Sequence, residues 1–167
     1  MKFIVTDRES IEGGILIRSA YVVISIRDPN KRKVRVLKQP GVRDVLYMAF
    51  HDAEPVKSMP MPPRIKLMTE TQAKEIWDFV RRHDKQVETV VVHCEQGASR
   101  SPAVAAALCR GFGSDDSRFF RRYRPNSYVY LLMLKSGGIT DSTDAWSERA
   151  SAPHQAHISG GKPPRAS

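Results

Sequence analysis

The chain has 167 residues, 41% of them hydrophobic, and a formal net charge of +9. This length favours one domain with a buried core over two domains of ordinary size. No apolar run approaches the roughly 20 residues of a membrane span, and the start, MKFIVTDRES, turns polar too soon for a signal peptide. Two cysteines, Cys94 and Cys109, give no disulfide framework. We expect a cytoplasmic protein without membrane contact.

The first half of the chain shows strand patterns separated by turns. Runs rich in β-branched residues predict strands over residues 2–6, 21–28 and 44–50. Four prolines between residues 51 and 69 predict an irregular surface loop. Long loops of this kind in compact domains are often functional.

The second half alternates helical and strand patterns. Apolar spacing predicts a helix over 70–83 with Thr69 or Thr71 as its N-cap, and a fully apolar strand follows at 89–92, as in the middle of a parallel sheet. Helices are predicted over 101–110, 114–123 and 127–135. The fold class is therefore α/β: a single layered domain with a mostly parallel central sheet flanked by helices. We assign residues 1–137 to this domain and 138–167 to a flexible C-terminal tail.

The turn between the 89–92 strand and the 101–110 helix has the composition of a phosphate-binding loop. A strand, a glycine-containing turn and a helix N-terminus together present backbone N–H groups and the positive end of a helix dipole to an anion. Gly97 lets the backbone bend where a side chain would collide with that anion. The Arg100 guanidinium can hold two phosphate oxygens. The same positive field favours the thiolate of Cys94, a nucleophile for phosphorus. The N–H groups expected to bind phosphate belong to Glu95, Gln96, Gly97, Ala98, Ser99 and Arg100.

The stretch HCEQGASRS, residues 93–101, resembles the signature of the cysteine-dependent protein tyrosine phosphatase superfamily, histidine-cysteine-x5-arginine-serine/threonine. Its ending is most similar to small dual-specificity enzymes and small bacterial relatives. The resemblance implies a phosphotyrosine phosphatase-like fold and a phosphocysteine intermediate, with no metal or cofactor. It implies that Ser101 hydrogen-bonds the Cys94 sulfur and helps it leave, that His93 orders the loop from behind, and that Asn126 braces the loop.

The family also uses a carboxylic acid on an upstream loop to protonate the leaving oxygen and activate water. Asp52 is the first choice, because it opens the proline-rich loop after the 44–50 strand. Glu54 and His51 remain alternatives. The predicted function is hydrolysis of phosphotyrosine in phosphorylated proteins, with phosphoserine and phosphothreonine as further candidate substrates.

Four other interpretations stay open at this point. The loop could bind phosphoproteins without turnover, or Cys94 and Cys109 could together carry out sulfur transfer or arsenate reduction, although core packing is favoured for Cys109. The basic surface suggests an RNA 5′-phosphatase, a less favoured hypothesis. Arginines interleaved with aromatic residues at 118–124 fit a solvated helix face or a basic patch for nucleic acid or phosphopeptide. The pair His154 and His157 lacks further zinc ligands.

Overall fold

The computed structural model describes residues 1–37, 39–56 and 58–140. Its four strands form one sheet in the order β1-β4-β2-β3, and every pairing is parallel. The strands are β1 (Lys2–Thr6), β2 (Tyr21–Arg27), β3 (Val42–Ala49) and β4 (Thr89–His93). The helices are α1 (Arg8–Gly13), α2 (Glu70–His83), α3 (Arg100–Gly111), α4 (Ser117–Arg122) and α5 (Ser127–Gly137). The predicted α/β class and parallel sheet are confirmed.

The sheet is covered on both faces. Alternate residues of β2 and β4, such as Ile24 and Val92, join a large apolar core with α2, α3 and α5. The intervening residues, such as Val23 and Val91, join a smaller cluster that includes Ile11 of α1. Burial on both faces explains why β4 reads as a continuous apolar run.

The packing of α2, α3 and α5 depends on one indole ring. Trp77 of α2 is buried, and its Nε1 donates a hydrogen bond to the Met133 carbonyl of α5 at 2.8 Å. A Cβ atom on Gly111 would lie 2.2 Å from the Trp77 ring, and one on Gly137 would lie 2.7 Å from it. Glycine at both positions therefore lets α3 and α5 approach the ring closely.

Two helices differ from the sequence prediction. Helix α1 was not predicted, because only Ile11 of its six residues is buried and no periodic pattern results; it begins where the Asp7 side chain accepts a hydrogen bond from Ser10 N at 2.7 Å. Helix α4 begins only at Ser117, three residues later than predicted; residues 114–116 are irregular, and the Asp115 carboxylate accepts hydrogen bonds from Ser117 N and Oγ at 3.0 and 2.6 Å. The other predicted elements are confirmed to within about two residues, the uncertainty usual for element ends.

Most of the predicted tail lies outside the described residues, as do His154 and His157. Of that segment, residues 138–140 are described, and Gly138 closes α5 in the left-handed conformation. No helix in the described part of the chain is long and apolar enough to cross a bilayer. Because all strands are parallel, the segments that follow β2, β3 and β4 meet at one edge of the sheet, where ligands bind in open α/β folds.

Candidate active site

A cavity of about 350 Å³ opens at the carboxyl ends of β2, β3 and β4. Three segments of the chain contribute to it, one after each of these strands. The lining residues are Asp28, His51, Asp52, Ala53, Ile65, Cys94, Glu95, Gln96, Ala98, Ser99 and Arg100. The fold thus brings the predicted nucleophile, arginine and acid to one place.

Cys94 lies at the floor of this cavity. Cys94 is 2% exposed, and its Sγ accepts a hydrogen bond from the Ser101 Oγ at 3.2 Å. Ser101 is fully buried in the first turn of α3, so packing holds its hydroxyl in place. A hydroxyl that donates to sulfur stabilises negative charge on that sulfur.

Arg100 is also buried, at 3% exposure. Its Nη1 donates to Asp28 Oδ1 and to the Phe50 carbonyl, each at 2.7 Å. Its Nε is buried and finds no acceptor among the described residues; the nearest carboxylate oxygen in ion-pair range, Asp52 Oδ2, is 4.0 Å away. A guanidinium that is anchored on one side and unsatisfied on the other retains donors for an anion.

The carbonyl groups of the loop bond to the segments around it. Arg8 N donates to the Glu95 carbonyl, Arg124 N to the Ala98 carbonyl and Asn126 N to the Ser99 carbonyl, each at 3.2 Å. Within the described ranges, none of the N–H groups of residues 95–99 donates a hydrogen bond to a protein acceptor. The loop therefore keeps its backbone donors available, as a backbone anion site requires.

Glycine at position 97 is required for a reason that lies outside the loop itself. Gly97 has φ of +66°, and a Cβ there would lie 2.8 Å from the carbonyl oxygen of Thr6 at the end of β1. The sequence predicts that a side chain at position 97 would collide with a bound anion. The structure shows instead that it would collide with the end of β1.

We expect Gly97→Ala to lower the free energy of unfolding by more than the about 1 to 2 kcal/mol that a left-handed alanine costs. Gly113→Ala is the matched control, because Gly113 also has positive φ but a Cβ at that position would have nothing within 4 Å. Urea unfolding of both variants measures the difference. Equal losses would show that the contact with Thr6 does not matter.

His93 supports the loop from the sheet side. It is fully buried, with its Nε2 2.8 Å from Ser25 Oγ and its Nδ1 3.4 Å from the Cys94 carbonyl oxygen. Burial lowers the pKa of His93 below its usual 6.5. The imidazole is therefore neutral at pH 7, which fits a structural role.

The depressed pKa of His93 predicts a stability that depends on pH. The unfolded chain binds the proton on His93 more readily than the folded chain does. The free energy that neutral, buried His93 contributes to folding is therefore fully present above pH 6.5 and is lost as pH falls through the folded-state pKa. We expect this residue to contribute a slope of at most about 1.4 kcal/mol per pH unit in the free energy of unfolding. Urea titrations from pH 7.5 to 5.5 should show a shallower slope in His93→Gln than in the wild type. The same substitution at the partly exposed His83 serves as control, and a slope unchanged in His93→Gln would contradict the prediction.

The three candidate acids have different partners. Asp52 Oδ1 accepts hydrogen bonds from Ser99 Oγ and Asn126 Nδ2, each at 2.8 Å. Glu54 binds the N-terminus of α5 instead, accepting from the N and Oγ of Ser127 at 2.7 Å each. The Nδ1 of His51 accepts from Lys66 N at 2.9 Å. Asp52 and His51 line the cavity, and Glu54 is not among its lining residues.

Asn126 connects the acid to the helix behind it. Its Oδ1 accepts from Val129 N at 2.9 Å and so caps α5, while its Nδ2 donates to Asp52. The side chain is buried, at 2% exposure. The predicted bracing residue thus contacts Asp52 and, through its backbone, the loop that follows Cys94.

Two charged neighbours were missed by sequence reasoning. Asp28, which holds Arg100, could have been found as the first acidic residue after a buried parallel strand. Arg8 could not have been found in this way. Its Nη1 lies 3.0 Å from Glu95 Oε1, but the two residues are far apart in sequence and only the fold brings them together. This ion pair offsets a carboxylate that would repel a phosphate.

Cys109 does not belong to the cavity. Its Sγ donates to the Asp115 carbonyl at 3.4 Å, and burial raises the pKa of its thiol. It lies nine residues beyond Arg100 on α3, or about 13 Å along the helix axis. In the described part of the chain, no group of three or more His, Cys, Asp or Glu side chains is arranged to hold a metal ion.

No protein-family model matches the chain, and no curated protein matches it by sequence. Among solved structures, a crystal structure of human DUSP28 is similar, with 13% sequence identity and a TM-score of 0.46. The similarity covers 89% of this chain and 87% of that one. The chemistry of the cavity is therefore inferred from its own residues.

Proposed function

We propose that the protein is a cysteine-dependent phosphomonoester hydrolase that acts on phosphotyrosine in proteins, with phosphoserine and phosphothreonine as further candidate substrates. One observation carries the proposal: Cys94, the anchored Arg100 and Asp52 line one cavity, and the buried Ser101 hydroxyl donates a hydrogen bond to the Cys94 sulfur from behind it. The HCEQGASRS signature, with its resemblance to the tyrosine phosphatase superfamily, supports the same function.

The reaction has two steps. In the first, the Cys94 thiolate attacks phosphorus, the bond from phosphorus to the ester oxygen breaks, and Asp52 gives that oxygen its proton. Arg100 and the loop N–H groups stabilise the equatorial oxygens. In the second, water attacks the phosphocysteine, Asp52 takes a proton from the water, and the sulfur leaves as a thiolate that accepts the Ser101 hydrogen bond. Inorganic phosphate is released and the enzyme is regenerated.

The test is a rapid-mixing assay with p-nitrophenyl phosphate in the presence of a chelator, combined with acid quenching to trap the phosphoenzyme. We expect a burst of p-nitrophenol and a phosphocysteine on Cys94 that the quench traps. Cys109→Ser is the matched control and should keep both signals, whereas their loss would favour a two-cysteine relay. Phosphate binding without turnover would replace the proposal with a phosphoprotein-binding module, and faster hydrolysis of RNA 5′-phosphates than of phosphotyrosine peptides would redirect it to RNA.

Asp52→Asn should reduce kcat/KM by about 100-fold or more for a phosphotyrosine peptide, the size of a lost general acid. The reduction should be smaller for p-nitrophenyl phosphate, because p-nitrophenolate leaves with little need of a proton. Comparison of kcat/KM for the two substrates measures this selectivity. Glu54→Gln is the control, since Glu54 binds the α5 N-terminus. An unchanged rate in Asp52→Asn with the peptide would rule Asp52 out as the acid.

A further inference from the structure

A second cavity, of about 490 Å³, lies beside the first. Its lining residues are Pro29, Asn30, His51, Arg64, Ile65 and Lys66. His51 and Ile65 line both cavities, so the two spaces adjoin at these residues. A substrate held by its phosphoryl group at Cys94 therefore has the second cavity within reach.

The second cavity is basic, and none of the described residues that line it is acidic. Both its cations, Arg64 and Lys66, are exposed, and neither forms an ion pair within the described ranges. Two other exposed cations are paired: Arg32 lies 2.9 Å from Glu12, and Lys135 pairs with Glu70. The cavity thus concentrates positive charge that the protein itself does not neutralise, which attracts an anionic group.

The backbone that carries these cations is fixed beside the candidate acid. His51 N donates to the Lys66 carbonyl at 2.8 Å, and Lys66 N donates to His51 Nδ1 at 2.9 Å. Next along the chain, Ile65 N donates to the Pro62 carbonyl at 2.9 Å. These bonds join the backbone of Lys66 to His51, the residue before Asp52, and Arg64 lies in the turn that the Ile65 bond closes. Both side chains therefore begin next to the first cavity.

We propose that Arg64 and Lys66 bind a second anionic group of the substrate, close in the peptide to the phosphorylated residue. This inference rests on the proposed function and names its substrate class: phosphopeptides with an acidic side chain or a second phosphate near the scissile phosphate. Because the cavities adjoin and an extended chain advances about 3.5 Å per residue, the second anion should lie within about two residues of the phosphorylated one.

The test uses three phosphotyrosine peptides that differ only at the neighbouring positions, which carry glutamine, glutamate or phosphoserine. We expect kcat/KM to be about tenfold higher for the glutamate or phosphoserine peptide than for the glutamine peptide. A gain of this size corresponds to a charge-assisted hydrogen bond to Arg64 or Lys66. The arm with the larger gain identifies the anion as carboxylate or phosphate. In Arg64→Gln/Lys66→Gln the three peptides should be hydrolysed equally.

The matched control is Arg18→Gln/Lys85→Gln, which removes the same two residue types from exposed positions near the amino ends of the strands. It should retain the preference, and p-nitrophenyl phosphate hydrolysis should be the same in all three proteins. Equal rates for the three peptides in the wild type would overturn the inference, as would a preference that survives in Arg64→Gln/Lys66→Gln.

The outcome is separable from that of the proposed function. If the wild type hydrolyses p-nitrophenyl phosphate without any peptide preference, only the second anion site fails. If it hydrolyses nothing, the phosphatase proposal fails, and fluorescence anisotropy of the same peptides with Cys94→Ser still tests the site. Tighter binding of the acidic peptides that is lost in the Arg64→Gln/Lys66→Gln background would support it there.

Discussion

Cys94→Ser is expected to lower kcat by at least about 10⁴-fold, the effect of removing an essential nucleophile. A serine hydroxyl is almost entirely protonated near neutral pH and cannot replace a thiolate. Acid quenching of the variant should yield no phosphoenzyme, and steady-state assays with p-nitrophenyl phosphate should show only background hydrolysis.

The same substitution should leave phosphate binding intact. Cys94 is almost fully buried, and serine differs from it by one atom, so the loop and the Arg100 anchor should be unchanged. Calorimetric titration with a phosphotyrosine peptide measures the retained affinity. Wild-type turnover in Cys94→Ser would remove the nucleophile from its proposed role.

Arg100→Lys is expected to reduce kcat/KM by about 10³-fold, although the positive charge is kept. Lysine lacks the planar fork that holds two oxygens, and loss of one transition-state donor alone costs about 10² to 10³. The single ammonium group of lysine must also replace the hydrogen bonds that Arg100 donates to Asp28 and to the Phe50 carbonyl. Steady-state kinetics, with circular dichroism to confirm folding, measure the effect.

Asp28→Asn provides the companion measurement. It keeps an oxygen acceptor for Arg100 and removes the negative charge, so a smaller fall in kcat/KM is expected than for Arg100→Lys. If Arg100→Lys stayed within tenfold of the wild type, the guanidinium would not be the group that stabilises the transition state.

The parts of the site that are contiguous in sequence were predictable. A strand, a glycine turn and a helix N-terminus are local structures, and residues 93–101 contain the proposed nucleophile, the arginine and the hydroxyl in one run. Asp52 could be proposed for a related reason, because it follows a predicted strand that ends at the same edge of a parallel sheet.

The rest depends on contacts between segments that are distant in sequence. The Arg8 to Glu95 ion pair spans 87 residues, and the reason for glycine at 97 is a strand backbone some 90 residues earlier. No local pattern encodes either contact, because each is fixed only when β1 and α1 dock beside the loop. The length of α4 depended similarly on a turn that periodicity does not reveal.

The two hydrogen bonds of the Asn126 side chain restrict which residues can replace it. The carbonyl end of its amide caps α5 while the amino end holds Asp52, and only a side chain with both an acceptor and a donor can do both. An aspartate would preserve the cap and place a second carboxylate against the acid, and an alanine would lose both bonds. Because one amide makes both bonds, the stability of α5 and the placement of Asp52 are coupled through residue 126, and a substitution there is expected to alter one or both.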